Sequence, residues 1–204
     1  MLNFPAKYVL PQQARLRTLN ETQIDPSQGG IDHTNRIGYM HKWGIDLTTP
    51  KLNYTNVMGL FSFVCSLEGQ YGACLFANPY PPIGTGTDLA RLRENALQGA
   101  QSLALYNLPS AKAGILEPGD FIKLSNHSKV YMVTQSLNSN GAGQGTVHIT
   151  PPLRNACAQN TGISAGANVN FTMRLKSDAQ DIQLRATEGK ELAVKVEFVE
   201  FIND

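Results

Sequence analysis

Residues 117–154 read Glu117-Pro118-Gly119-Asp120 and then FIKLSNHSKVYMVTQSLNSNGAGQGTVHITPPLR. The Pro118-Gly119-Asp120 turn opens a strand in which Phe121, Ile122 and Leu124 are apolar. A polar turn leads to a second strand with Tyr131 and Val133. A loop of Gly, Asn and Ser leads to a third, carrying Val147 and Ile149, which ends at Pro151-Pro152. Short apolar runs bounded by such turn residues read as antiparallel β-structure. Asp120 is placed to bond backbone amides of its own turn, as turn aspartates do. No group of reactive side chains gathers on this module.

Working outward, residues 36–48 alternate. Ile37, Tyr39, His41, Trp43, Ile45 and Leu47 share one face, and Arg36, Gly38, Lys42, Asp46 and Thr48 the other. Period-two alternation predicts a half-buried antiparallel strand, and Pro50 stops it. A helix follows, with Asn53 or Thr55 as N-cap. Val57, Leu60, Phe61, Val64 and Leu67 repeat at helical spacing. Gly69 stands where a left-handed residue closes a helix. A short strand is expected over residues 71–76.

The Pro- and Gly-rich stretch NPYPPIGTG, residues 78–86, marks a boundary. Residues 89–110 are ambiguous between helix and strand, with a strand favoured after Gln98-Gly99. Residues 154–168 read as loop. Phe171, Met173 and Leu175 alternate, residues 181–184 suggest a further strand, and Leu192, Val194, Val196 and Phe198 form a terminal one. Pairing of residues 36–48 with 192–202 would close an outer domain around an inner one. The predicted fold is mainly β: an antiparallel β-sandwich with one helix, interrupted by an inserted small β-barrel-like domain. Residues 1–35 are expected to be an N-terminal arm, 36–83 with 165–204 the sandwich, and 84–164 the insertion. The expected core includes Trp43, Ile45, Leu60, Phe61, Val64, Phe121, Val196 and Phe198. Gly69, Pro118, Gly119 and Asp120 are the expected turn residues.

The chain has 204 residues, a net charge of +1 and 16% charged residues. A near-neutral balance gives no basic stripe for nucleic acid. Charge is below the usual quarter or so, as suits a surface buried against neighbours. Three cysteines, Cys65, Cys74 and Cys157, make no metal spacing. They suit free thiols in a reducing cytoplasm. No apolar run is long enough to cross a bilayer as a helix.

The ordered set of motifs carries a resemblance. Trp43-x-Ile45-x-Leu47 precedes Pro50 and a helix, then Leu67-x-Gly69-Gln70-x-Gly72 and Phe76 to Pro79. Gln98-Gly99-Ala100, Leu116-x-Pro118-Gly119-Asp120-Phe121-Ile122 and Val130-Tyr131-x-Val133-Thr134 follow. Ile149-x-Pro151-Pro152-Leu153-Arg154 and Phe198-Val199-Glu200 complete it. Over residues 36–202 this resembles the distal tail, or baseplate-hub, proteins of long-tailed bacteriophages. The resemblance implies a virion structural protein that forms a ring, usually of six copies, between tail tube and tail tip. Its implied partners are copies of itself, the tail tube protein and tail-tip or hub proteins. The inserted domain would point outward, where some members contact host surface glycan. The alternative is a carbohydrate- or receptor-binding module on the tail tip. The loop at residues 138–145 lacks an acidic residue, and no cation is expected there.

The candidate chemistry is thin. His41 falls on an apolar face and reads as a hydrogen-bonded core or interface imidazole rather than a ligand. His33, His127 and His148 read as solvent-facing. Gly84-Thr85-Gly86-Thr87-Asp88 lacks the Lys of a phosphate loop and reads as linker. Glu197 and Glu200 are an odd interval apart and point to opposite faces of their strand. Trp43 reads as core rather than a sugar platform. Tyr80, among prolines, reads as an exposed patch. No cofactor, metal or catalytic residue is expected, and the chain reads as a non-enzyme.

Overall fold

The computed structural model describes residues 1–8, 14–20, 22–26, 32–36, 41–86, 89–180 and 193–203. In chain order the strands are β1 (Leu2–Asn3), β2 (Ala14–Leu19), β3 (Thr22–Pro26), β4 (Asp32–Arg36) and β5 (Lys42–Thr48). The single α-helix, α1 (Tyr54–Cys65), comes next, then β6 (Cys74–Ala77), β7 (Arg91–Leu92), β8 (Ser102–Tyr106) and β9 (Phe121–Leu124). The last strands are β10 (Val130–Val133), β11 (Gly145–Thr150), β12 (Ile163–Ala165), β13 (Asn170–Leu175) and β14 (Lys195–Glu200). The protein is mainly β with one helix, as expected.

One six-stranded sheet runs β1-β6-β13-β14-β5-β2. Its neighbours pair antiparallel except β1 and β6, which are parallel. The expected long-range closure is present: Lys195 pairs Thr48 and Val199 pairs Gly44. Two strands from the stretch expected to be an arm belong to this sheet, β1 against β6 and β2 against β5. Leu16 explains the latter, because it pairs Ile45 and packs on the same core. β3 and β4 pair with each other, Thr22 opposite Arg36, and join neither large sheet. The expected strand positions Ile37, Tyr39, 181–184 and Leu192 lie outside the described residues.

The second six-stranded sheet runs β12-β9-β10-β11-β8-β7. Its two ends meet. Arg91 bridges Gly162, the Leu92 amide donates to the Thr161 carbonyl at 3.0 Å, and the Ile163 amide to the Ala90 carbonyl at 3.0 Å. The result is a small, nearly closed barrel, filled by Leu92, Leu103, Leu105, Ile122, Tyr131 and Ile149. Residues 102–106 are strand, resolving the ambiguity of that region. The stretch expected to be loop contains β12, because Ile163 and Ala165 turn into the barrel core.

The inner face of the first sheet has two covers. At one end Val57, Leu60 and Val64 of α1, with Leu67 just beyond it, join the core of Ile45, Phe76 and Phe198. Phe4 bridges the layers, its ring 5.4 Å from Phe63 and 5.5 Å from Phe198. At the other end the barrel docks through Phe121 and Val130. β9 is buried on both faces: Phe121 points into the first core and Ile122 into the barrel. That is why its apolar residues run together instead of alternating.

The Asn53 side chain caps α1, accepting from the Asn56 amide at 3.0 Å. Gly69 has φ of +67°, and a Cβ there would meet Asp178 Oδ1 at 2.6 Å. Phe61 departs from expectation. It is half-buried and outside both core clusters. At 100° per residue it lies off the axis of the Val57, Leu60, Val64 stripe.

Candidate functional site

The polar groups that meet between sheet and barrel come from three parts of the chain. β5 and its leading residue supply Trp43 and His41, the turn before β10 supplies Lys129, and β14 supplies Glu200. Position 200 continues the inward series Val196 and Phe198, so the strand's own alternation drives this carboxylate into the core. Glu200 is 0% exposed and Lys129 1%.

Burying charge is tolerated only where it is paired and hydrogen-bonded, and here it is. The Lys129 ammonium donates to Glu200 Oε2. The Trp43 amide donates to Oε2 at 3.1 Å and the Val130 amide to Oε1 at 2.9 Å. A second donor hydrogen of Lys129 faces His41 Nδ1 at 3.1 Å. Burial lowers the proton affinity of the Lys129 ammonium, the nearby cations Arg154 and Lys42 act the same way, and Glu200 opposes them. Trp43 Nε1 donates to the Val130 carbonyl at 2.8 Å. Its ring is met edge-on by His41 at 4.4 Å and by Phe121 at 5.7 Å. Trp43 is therefore core, 4% exposed, and it borders the groove beside this cluster.

Beside this cluster a groove of about 650 Å³ runs between the β2–β5 edge and the barrel. Leu16, Thr18, Asn20 and His41 line one side, Met132, Thr150 and Pro151 the other. Thr18 Oγ1 lies 3.0 Å from His41 Nε2 and accepts from Asn20 Nδ2 at 3.3 Å. Apart from the titratable His41 ring, these lining residues carry no charge.

Asp120 does more than hold its own turn. It accepts from the Glu117 amide at 2.8 Å, and also from the amides of Ile83 at 2.7 Å and Gly84 at 2.9 Å. It thereby stitches the Pro-rich crossing to the barrel. Gly119, at φ +101°, and Pro118 form the turn. Tyr80 is not an exposed patch: its hydroxyl donates to the Ala14 carbonyl at 2.9 Å and its ring packs on the core.

His127 is buried, against expectation, because its Nε2 meets the Tyr131 hydroxyl at 2.8 Å inside the barrel mouth. Cys157 lies 3.9 Å from His127 Nδ1. Its thiol donates to Asn126 Oδ1 at 3.3 Å, away from the ring, and burial pushes the thiol up. That arrangement favours the inert thiol over a thiolate nucleophile. Cys74, pushed up to about 12 by burial, is equally inert. His148 is half-buried on β11, and the side chain of His33 lies outside what is described. Among the described residues, no three His, Cys, Asp or Glu side chains gather as a metal site requires.

One side of α1 is the other feature that the described residues leave partly open. Tyr54, Met58, Phe61 and Cys65 fall at helical spacing on it. Tyr54 is 68% exposed and Cys65 is exposed. None of the helix's 12 residues is charged. No described helix is long and apolar enough to cross a membrane.

The Lys129–Glu200 pair escaped the sequence reading. The signal was there for Glu200, an acid at an inward position of an alternating strand. Lys129, in the turn Asn126-His127-Ser128-Lys129, looks like any solvated turn residue. In comparisons with known proteins, no family model and no curated protein matches the chain.

Proposed function

We propose that this chain is a structural, non-enzymatic component of a bacteriophage tail, forming a ring at the distal end of the tail tube that links tube to tail tip. The observation that carries the reading is the charge-free outward side of α1. That side carries Tyr54, Met58, Phe61 and Cys65 with no charge among them, an apolar flank that a neighbouring copy can cover. The sheet adds to this: among the described residues β1 and β2 each keep one side unpaired, and the β3–β4 hairpin bonds to neither large sheet. Unpaired edges are templates for another chain. A head-to-tail contact of one patch with a different one closes into a ring when the rotation permits. The tail tube protein and tail-tip proteins would meet the two ends of that ring, and the resemblance suggests six copies.

The test is hydrodynamic. The purified chain is expected to run as a discrete large species, alone or with tail tube protein. Phe61→Asp is expected to run as a monomer with an unchanged melting temperature. A wild-type chain that stays monomeric under both conditions refutes the reading.

The groove favours a second reading, a carbohydrate- or receptor-binding module on the tail tip. Its volume lies within the usual range for ligand sites, and its hydroxyl and amide groups suit a neutral, hydroxyl-rich ligand. Retention of the chain on host glycan, lost in Asn20→Ala, would support it. Equal retention of both proteins would count against it.

A further inference from the structure

We propose that the outer face of the first six-stranded sheet docks an acidic partner protein, one of whose carboxylates sits between Arg17 and Arg174. The inference is independent of the ring reading, which uses α1, the sheet edges and the hairpin.

Strand alternation turns Trp43, Ile45 and Leu47 toward the core, so Gly44 and Asp46 belong to the opposite face. Residues directly opposite on neighbouring strands share a face. The register therefore lays two rows across β2, β5, β14 and β13. In the first, Asp46 stands opposite Arg15 on one side and Glu197 on the other, and the amide of Lys176, just past β13, donates to the Glu197 carbonyl. The second runs Arg17, Gly44, Val199, Arg174. Both rows end in cations. The centre of the first holds two carboxylates, and the centre of the second holds none.

The first row's carboxylates are already taken. Asp46 accepts from Arg17 Nη2 at 2.6 Å. Glu197 accepts from Lys176 and Lys195 at 2.7 Å each, with Arg17 Nη2 3.8 Å away. Among the described residues Arg174 has no part in an ion pair. Its guanidinium lies 5.6 Å from the centre of the Phe201 ring, and its Nε is buried with no hydrogen-bond acceptor. Arg17 Nε is buried and unpaired in the same way. The Arg17 side chain leans across Gly44, where an added Cβ would stand 3.5 Å from Nε and Nη2. Buried donors left without acceptors are costly. A carboxylate is the matching acceptor, because the planar arginine fork takes it bidentately. The two ends lie three strand spacings apart, about 14 Å, the interval that Asp46 and Glu197 fill in the first row. An acidic side chain lowered onto Gly44 and Val199 completes the second row in the same way.

The charge on this face points to an acid as well. Arg15, Arg17, Arg174, Lys176 and Lys195 stand against Asp46 and Glu197, an excess of cations on a chain whose net charge is only +1. A folded protein fits better than a nucleic acid. Asp46 and Glu197 repel a continuous phosphate backbone, and arginine beside Phe201 and Val199 suits a protein interface, where aromatics and arginine are enriched.

The experiment is fluorescence anisotropy at low salt with a labelled oligoglutamate peptide, and in a separate arm with a single-stranded oligonucleotide of equal charge. The wild-type chain is expected to bind the peptide and to release it as salt rises. Arg174→Gln is expected to weaken binding about tenfold, the loss of one charge-assisted contact. Arg15→Gln removes the same charge from the row whose carboxylates are in place, and is expected to weaken it far less. Gly44→Asp supplies the missing carboxylate from within, and is expected to abolish binding while keeping the melting temperature of the wild type. No binding by the wild type overturns the proposal. So do equal losses in Arg15→Gln and Arg174→Gln, full binding by Gly44→Asp, or an oligonucleotide held as tightly as the peptide. A chain that stays monomeric yet gives the expected binding series fails the ring reading alone.

Discussion

Glu200 occupies a position that strand alternation reserves for an apolar side chain, third in the series Val196, Phe198, Glu200, and it is fully buried there. Removing one partner of such a pair leaves an uncompensated charge, which costs about 3–5 kcal/mol. Glu200→Gln is therefore expected to destabilise strongly in urea denaturation, and the double variant Lys129→Met/Glu200→Leu to recover much of the loss. The surface pairs behave differently. Lys176 and Lys195 each donate to Glu197 at 2.7 Å and hold its carboxyl down to about 2. These groups are largely solvated, so Glu197→Gln is expected to cost less than about 1 kcal/mol. The sign follows from a lowered carboxyl: the contribution is present above its ordinary value of 4.5 and fades as pH falls toward about 2. Comparing the two proteins' urea midpoints across that range checks it. Asp120→Ala strips an acceptor from three amides and is expected to cost about 2–3 kcal/mol.

At the scale of the element, α1 separates what a sequence discloses from what it conceals. Val57, Leu60 and Val64 were legible because a 3.6-residue period names one face. Phe61 shares that periodicity closely enough to pass as core, and only the position of the sheet beneath the helix turns it outward. Leu60→Ala is expected to cost about 2–5 kcal/mol of stability, and Phe61→Ser under about 1 kcal/mol, as surface changes do. Thermal melts of the two variants decide it; equal losses would place Phe61 in the core after all. β9 was legible in kind but not in role. Phe121, Ile122 and Leu124 announce a strand, while their run-together pattern is explained only by burial against two cores at once. β12 was missed because residues 163–165 are too short to show a period.

For the whole molecule, the closing of residues 42–48 against 195–200 was readable because both ends alternate cleanly, and a sheet needs partners for them. The union of sheet and barrel was not. It depends on Lys129, Glu200 and Asp120, polar residues whose contacts span 71 and 36–37 positions in sequence. No local pattern encodes such a distance. The same holds for the proposed assembly, which would use surfaces left open among the described residues: the uncharged side of α1, the two sheet edges and the β3–β4 hairpin. The most direct measurement is averaged electron micrographs of the purified chain, with and without tail tube protein. The account predicts closed rings of one fixed symmetry, stacked on the tube end when tube protein is present. Single, featureless particles the size of one 22.2 kDa chain under both conditions would contradict it.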